Sequence, residues 1–329
     1  MKVVFQYQGL LTERYKSKFL KNLPEEIQLV FMETRDQEKF LQEMEDADIL
    51  VGYRITPELM ERAKKLKHIQ IPWTGFDNLG KEHLKGRNDI TVSNSHANSL
   101  AIAEHGISLL LAAAKLLTQR DMGMRKGDWT SRYEEVNSVW LTGKTASIIG
   151  YGAIGKKMAR MLKNGFGMEI LAIKRHPDEE DDIAEFVGRP DQLQEVLPKS
   201  DFVIVAVPLT DETKGMIRDE HFDLMKSTAV LVNIARGPVI EEKALYDALA
   251  KGKIHSAGID VWYNYPRGDQ RIIFQNYPFE KLPNIVMTPH SAFKIVDREE
   301  VFVEDIIENI RRIFEGKPPI NQVNLELGY

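Results

Sequence analysis

The sequence predicts an α/β protein built on two doubly wound parallel sheets, and three observations lead there. From residue 3 to about residue 95, short apolar β-prone runs alternate with stretches of helical period. At residue 145 an apolar strand runs into G-x-G-x-x-G and then an amphipathic helix. Beyond that point strand and helix alternate again almost to the end of the chain. Strands separated by helices run parallel, and a parallel sheet is covered by helices on both faces.

The elements follow in order. Residues 3–7 form the first strand, and a helix-like stretch follows. Residues 28–32, 49–51, 69–71 and 90–92 read as further short strands, with helices at about 36–46, 57–66 and 80–85 between them. Residues 98–120 read as one long helix, and 129–141 as a polar connection without regular structure. The strand at 145–149 opens the second sheet. Its helix presents Ile154, Met158, Met161 and Leu162 on one face and stops at Asn164-Gly165. The strand at 169–173 follows at once, and others are expected at 202–205, 229–233, 256–260 and 285–287. A helix at 301–314 closes the chain before Gly316-Lys317-Pro318-Pro319. Because the glycine motif begins near residue 150, a smaller α/β domain precedes it. Periodicity alone leaves open which domain the closing helix joins. The acidic run 178–182 reads as a solvated loop.

The glycine motif carries the first chemical inference. Gly150 permits the tight turn, Gly152 lets the backbone approach a pyrophosphate, and Gly155 lets helix and strand pack closely. The helix N-terminus, at Ala153 and Ile154, offers unpaired N–H groups and a positive dipole end to the anion. Strand, turn, helix and second strand in this register predict a dinucleotide-binding Rossmann unit. An NAD site usually has an acidic residue roughly 20 residues beyond the first glycines, where it meets the ribose 2′-hydroxyl. Here that position reads Lys174-Arg175-His176, with two permanent cations and no carboxylate. A 2′-phosphate finds charge-assisted partners there, so NADP(H) is favoured over NAD(H).

Composition narrows the field. A chain of 329 residues has room for two domains, and 43% hydrophobic with 28% charged residues is ordinary for a soluble globular protein. A net charge of -5 gives no electrostatic reason to expect nucleic acid or an anionic membrane as partner. Zero cysteines exclude disulfides, thiol catalysis and Cys-ligated metals, and suit the cytoplasm. The first residues have too short an apolar run for a signal peptide. The most apolar stretch, 100–117, carries Glu104, His105 and Lys115 and reads as a buried or interfacial helix. No His/Asp/Glu spacing suggests a preformed metal site.

Three later strands end in polar residues: Arg236 after 229–233, Asp260 at the end of 256–260 and His290 after 285–287. Ligands of open α/β sheets bind outside the carboxyl ends of the strands. Beside a nicotinamide, an Arg holds a carboxylate bidentately and polarises a neighbouring carbonyl. A His gives or takes the hydroxyl proton, because its ordinary pKa is near neutrality.

Taken together these segments resemble the D-isomer-specific 2-hydroxyacid dehydrogenase family, which includes lactate, glycerate, phosphoglycerate and formate dehydrogenases and glyoxylate/hydroxypyruvate reductases. The resemblance spans nearly the whole chain. It is carried by Trp73-Thr74-Gly75-Phe76-Asp77-Asn78, Asn98-Ser99-Leu100-Ala101-Ile102-Ala103-Glu104-His105, Leu141-Thr142-Gly143-Lys144, Val207-Pro208-Leu209-Thr210 with Thr213, Asn233-Ile234-Ala235-Arg236-Gly237, Ala257-Gly258-Ile259-Asp260-Val261 and Thr288-Pro289-His290. It implies a Rossmann cofactor domain, residues 98–292, inserted into a smaller flavodoxin-like substrate domain, residues 1–97 plus 293–329. It implies hydride transfer between NAD(P) and a small 2-hydroxy or 2-keto acid. Arg236 then binds the substrate carboxylate and His290 is the acid/base. Asp260 and the Ala235 carbonyl receive the nicotinamide carboxamide, and Val207, Pro208, Thr213 and Ile234 line the cofactor cleft. The Thr74 and Gly75 amides, Tyr53 and Asn98 serve the substrate. The resemblance also implies a homodimer built through the helix beginning at Asn98 and the segment after it.

One position departs from the family pattern. An acidic residue usually precedes the proline of a D-V-x-x-x-E-P run, and here Tyr265 occupies its place before Pro266. A carboxylate would stabilise the imidazolium of His290 and raise its pKa, whereas a phenol brings no charge. Either Tyr265 orients His290 more gently, or another acid such as Asp269 or Glu280 takes over. Arg54, Arg267 and Arg271 read as solvated loop cations, with a phosphorylated or dicarboxylic substrate as the other reading. Two further functions stay open: a non-enzymatic dinucleotide-sensing protein of co-repressor type, and a formate-type dehydrogenase using Arg236 and Asn98.

Overall fold

The computed structural model describes residues 1–326 except 34–35, 77–78, 134, 136–137 and 178–180. Asp77 and Asn78 of the Trp73 motif, and the first three residues of the acidic run, therefore lie outside the described residues. The chain divides into two compact units, 1–98 with 294–329, and 99–293.

The first unit contains β1 (Lys2–Phe5), α1 (Glu13–Asn22), β2 (Gln28–Phe31), α2 (Gln37–Met44), β3 (Ile49–Val51), α3 (Pro57–Arg62), β4 (His68–Gln70) and β5 (Thr91–Ser93). Its strands pair in the order β2-β1-β3-β4-β5, all parallel, the doubly wound order of flavodoxin-like sheets. The two-residue period sorts side chains onto opposite faces. Val4, Leu50, Ile69 and Val92 pack under Phe40, Met44 and Leu59 of α2 and α3. Val3, Phe5, Ile49 and Val51 pack under Phe19 of α1 and under Phe302, Ile306 and Ile310. Those last three residues belong to the closing helix, Glu300–Phe314, so its apolar face seals this first sheet. The helical stretch expected at 80–85 is a single 3-10 turn, Lys81–Leu84.

The second unit contains α4 (Ser99–Ala114), α5 (Leu117–Met124), β6 (Thr145–Ile149), α6 (Ala153–Phe166), β7 (Glu169–Ile173), β8 (Phe186–Gly188), α7 (Leu193–Val196), β9 (Phe202–Val205), α8 (Asp219–Leu224), β10 (Val230–Asn233), α9 (Glu242–Ala250), β11 (Ser256–Ile259) and β12 (Ile285–Met287); the closing helix of the first unit is α10. All seven strands run parallel in the order β12-β11-β10-β9-β6-β7-β8. The direction of winding reverses between β6 and β9, and that reversal opens the crevice typical of such sheets.

Four details correct the reading from sequence. The helix expected over 98–120 is two helices, α4 and α5, bent by 66°. Leu116 turns the chain with a left-handed backbone (φ 51°) that costs an ordinary residue roughly 1–2 kcal/mol. The end of α4 is capped from far along the chain: Val139 N–H donates to Ala114 O, and Lys115 Nζ donates to Val139 O, both at 2.8 Å. No local signal marks that break. Helix α6 runs through Asn164-Gly165 to a left-handed cap at Gly167 (φ 59°), because tertiary packing outweighs the roughly 1 kcal/mol cost of one interior glycine. Strand β8 is three residues at a sheet edge, two half-buried and one buried, too short for a periodic pattern to register. Asp181 is no solvated acid: it accepts from the Tyr151 hydroxyl at 2.7 Å and from the amides of Ile183 and Ala184. Burial would raise its carboxyl, and those donors with Lys156 hold it below the usual value.

No single helix among the described residues is long and apolar enough to cross a membrane; α4 and α5 reach that length only across their bend.

Candidate active site

The turn after β6 has the geometry a pyrophosphate requires. Gly150 adopts φ 102°, and a side chain there would meet the Ala206 carbonyl and Val207 amide at 2.5–2.6 Å. A Cβ on Gly155 would stand 2.2 Å from the Gly150 carbonyl oxygen. Gly152 differs: a Cβ there meets nothing within 4 Å. Two glycines are thus required by the fold. The third leaves open space in front of the α6 N-terminus, which fits the phosphates of a dinucleotide. Ala153 and Ile154 form the first turn of that helix.

On the far side of the crevice, β10, β11 and β12 deliver Arg236, Asp260 and His290 at the same end of the sheet. The register Asn233↔Ile259↔Met287 places Asp260 one residue past its strand, and Arg236 and His290 each three residues past theirs. Arg236 and His290 therefore flank one intervening strand, an offset of about 10 Å at the usual strand spacing. Buried Asn233 shapes the Arg236 turn. Its Oδ1 accepts from Ala235 N at 3.0 Å, and its Nδ2 donates to Arg236 O at 3.2 Å. Arg236 Nη1 donates to the Ala235 carbonyl at 2.7 Å.

His290 is held in place by Asp260. Its amide donates to the Asp260 carbonyl at 2.8 Å, and its backbone is left-handed (φ 53°). The Asp260 carboxylate accepts from Thr288 Oγ1 at 2.6 Å, Ser291 N at 2.8 Å and Ala292 N at 3.2 Å. His105 of α4 stands 3.4 Å from Oδ1 and 3.2 Å from Thr288 Oγ1. Burial would raise the Asp260 carboxyl, yet this ring of donors holds it below the ordinary carboxylate range. Asp260 thus ties down the residues on both sides of His290. Its Oδ2, with a single amide at 3.2 Å, keeps the greater capacity to accept a carboxamide.

The Tyr265 side chain meets that of His290. The phenolic oxygen is 3.1 Å from Nδ1 of His290, and it accepts from Trp262 N at 3.1 Å. Arg271 donates to Gly268 O and Gln270 O, which ties it to its own loop.

At the opposite edge of the crevice, half-buried Lys174 and Arg175 and exposed His176 follow β7. Arg175 Nη2 pairs with the Glu212 carboxylate. The turn carrying Glu212 is tightly bonded: Thr213 Oγ1 donates to Pro208 O at 2.6 Å and accepts from Thr210 N at 2.8 Å. Val207 lies two residues past β9 and Ile234 one residue past β10.

In the first unit, Thr74 Oγ1 lies 2.8 Å from Asn98 Oδ1 and 2.9 Å from Ser95 O, and Asn94 Nδ2 donates to Thr74 O at 2.7 Å. Tyr53 packs on Trp73 at 5.0 Å between ring centroids, and its amide is 3.3 Å from Gln6 Oε1. Thr74, Gly75 and Asn98 are thus brought together, with Tyr53 beside the Trp73 that precedes them.

Residues 107–292 match the family model for the D-isomer specific 2-hydroxyacid dehydrogenase NAD binding domain. A glyoxylate reductase of Pyrococcus furiosus is 37% identical over 319 residues, covering 93% of this chain and 91% of that protein. The chain belongs to the D-isomer-specific 2-hydroxyacid dehydrogenase family. It is an NAD(P)-dependent oxidoreductase that moves a hydride to or from a small 2-hydroxy or 2-keto acid. A D-3-phosphoglycerate dehydrogenase of Methanocaldococcus jannaschii is 34% identical over 88% of this chain, which spans only 54% of that longer relative. Among solved structures, an NADPH-dependent glyoxylate/hydroxypyruvate reductase from Sinorhizobium meliloti, in complex with NADP and malonate, superposes with a TM-score of 0.75. It is 26% identical, with 99% of this chain and 97% of that one covered.

Sequence reasoning about this dehydrogenase overlooked four residues that position the site. Asn233 and Thr288 lay inside quoted motifs without a role, although a polar residue closing an apolar strand was a usable signal. His105 lies on a mainly apolar helix, and nothing local pointed it at Asp260. Glu212 sits 37 residues from Arg175, a separation no local pattern spans.

Proposed function

We propose that this dehydrogenase is an NADPH-preferring reductase of a small 2-keto acid of glyoxylate or hydroxypyruvate size. The observation that carries the reading is the common placement of Arg236 and His290 at the strand ends facing the glycine turn. The names of the similar reductases support the substrate class.

The roles follow from the side chains. Gly150, Gly152, Gly155, Ala153 and Ile154 cradle the pyrophosphate, and Val207, Pro208, Thr213 and Ile234 line the same cleft. Lys174, Arg175 and His176 are the cations for a 2′-phosphate. The bound nicotinamide supplies the hydride in the reductive direction. Asp260 and the Ala235 carbonyl orient the carboxamide. Arg236 holds the substrate carboxylate and draws electron density from the adjacent carbonyl. His290 delivers a proton from Nε2 to the carbonyl oxygen, since Tyr265 engages Nδ1. Tyr53, Thr74, Gly75 and Asn98 are the substrate-binding groups of the first unit. We read units 1–98 with 294–329 and 99–293 as the substrate and dinucleotide domains respectively.

We further propose a homodimer. Leu117, Met122, Met124, Trp129 and Trp140 are exposed apolar side chains on and after α5, a concentration that a second copy would cover. A chain without cysteines fits a reducing cytoplasm.

A panel of 2-keto acids with NADPH and NADH, followed by loss of reduced-nicotinamide absorbance, tests the reading. Turnover of a two- or three-carbon keto acid is expected, with His290→Ala at least about 100-fold slower and still binding NADPH. Dinucleotide binding without turnover of any keto acid would leave a sensing protein instead.

A further inference from the structure

We infer that Glu212, acting through Arg175, sets the balance between the phosphorylated and unphosphorylated dinucleotide. The inference rests on the proposed reading of the second unit as the dinucleotide domain.

The sheet order fixes which end of the crevice this pair occupies. Strand β6 lies between β7 and β9; Arg236 and His290 follow β10 and β12 on one side, and Arg175 follows β7 on the other. The glycine turn that takes the phosphates lies between them. Arg236 and His290 therefore mark the nicotinamide end, and Arg175 marks the adenosine ribose.

Glu212 reaches that end from the loop after β9, on the opposite side of β6. Its turn is held by the Thr210–Thr213 hydroxyl and amide bonds and by Lys214 N donating to Thr210 O at 2.9 Å, so the carboxylate is presented from a stiff support. The pair thus spans the crevice from one loop to the other. Exposure is uneven across it: the Arg175 side chain is 25% exposed and that of Glu212 is 70%. The cation is largely enclosed, while the carboxylate can swing into water at little cost, as exposed ion pairs generally can.

The two dinucleotide forms make opposite demands on such a pair. A ribose 2′-hydroxyl is a hydrogen-bond donor and calls for a carboxylate. The strand end carries none, and Glu212 supplies one from a distant loop. A 2′-phosphate calls for the guanidinium and repels the carboxylate, so it must displace Glu212 from Arg175. Glu212 therefore favours the unphosphorylated form and taxes the phosphorylated one, which moderates the preference expected from Lys174 and Arg175 alone.

Equilibrium titration of the full-length protein with NADPH and with NADH, read by reduced-nicotinamide fluorescence at fixed salt, tests this with the wild type, Glu212→Gln and Arg175→Ala. Glu212→Gln is expected to tighten NADPH and weaken NADH, each by about 3- to 10-fold. Arg175→Ala is expected to weaken NADPH by about 30-fold or more and NADH by less than about 3-fold. An NADPH-to-NADH ratio unchanged within about twofold in Glu212→Gln, with Arg175→Ala behaving as expected, overturns the role of Glu212 alone. Arg175→Ala binding NADPH like the wild type overturns the pair as the selectivity device. Wild-type protein that binds neither dinucleotide overturns both this inference and the reading beneath it.

Discussion

The Tyr265 hydroxyl lies 3.1 Å from Nδ1 of His290 and simultaneously accepts the Trp262 amide at 3.1 Å. With the amide directed at the phenolic oxygen, the phenolic hydrogen can point to Nδ1, which leaves the ring proton of neutral His290 on Nε2. When the ring is charged, Nδ1–H donates to the same oxygen. A phenol serves both states but adds no negative charge, so it orients the imidazole without stabilising the imidazolium as a carboxylate does.

Tyr265→Glu is accordingly expected to extend reduction to higher pH. The upper limb of kcat/KM against pH should move up by about one unit or more, while Tyr265→Phe should lower kcat/KM about tenfold without moving that limb upward. Full pH profiles for the three proteins decide the matter. An upper limb that stays in place in Tyr265→Glu would mean that another group governs the charge on His290.

The glycine turn separates binding from stability. Open space surrounds a Cβ at Gly152, whereas one at Gly155 collides with the Gly150 carbonyl at 2.2 Å. Gly152→Ala should melt within about 2 °C of the wild type yet bind NADPH at least about tenfold more weakly, since the methyl would take up the open space proposed for the phosphates. Gly155→Ala should lower Tm by several degrees, as expected for a steric clash costing about 1–3 kcal/mol. Calorimetry and dinucleotide titration on both variants give the comparison.

Asp260 should act on catalysis through the position of His290. Replacing its carboxylate by the amide in Asp260→Asn leaves one donor among Thr288, Ser291 and Ala292 facing an NH2 group, a buried mismatch worth about 1–3 kcal/mol. Lower Tm and a loss of kcat of about 10-fold or more are expected together, with the KM for the keto acid moved less than about threefold because Arg236 is untouched. A large rise in KM with unchanged kcat would point instead to direct substrate binding.

The first unit carries a built-in sensitivity to acid. His68 is almost wholly buried on β4, with Nδ1 2.8 Å from Thr91 Oγ1, and burial pushes its pKa down to about 4. In the unfolded chain the imidazole titrates near 6.5. A lowered folded value means that the unfolded chain binds the extra proton first. Its contribution is therefore fully present above about pH 6.5 and is lost as pH falls through that value toward 4, by roughly 3 kcal/mol in all. His68→Asn should flatten the wild-type fall in stability between pH 7 and 4.5, measured by denaturant unfolding at each pH. Parallel curves for the two proteins would show that His68 does not drive it.

Tyr265 was marked by the family pattern, whereas local chemistry in the chain determined the class of fold, the glycine turn and the choice of Arg236, Asp260 and His290 as candidates. Each of these depends on residues within a few positions: an apolar run buried on both faces reads as a strand, and a polar residue ending it reads as a ligand group. The break at Leu116, the edge strand β8, the burial of Asp181 and the Arg175–Glu212 pair were decided only in three dimensions. Val139 caps α4 from a distant loop, and β8 takes its structure from pairing with β7. Glu212 meets Arg175 because β7 and β9 flank β6 in the folded sheet. A chain states its neighbours along the backbone directly, whereas partners across a sheet are set by strand order, which emerges only when the helices pack.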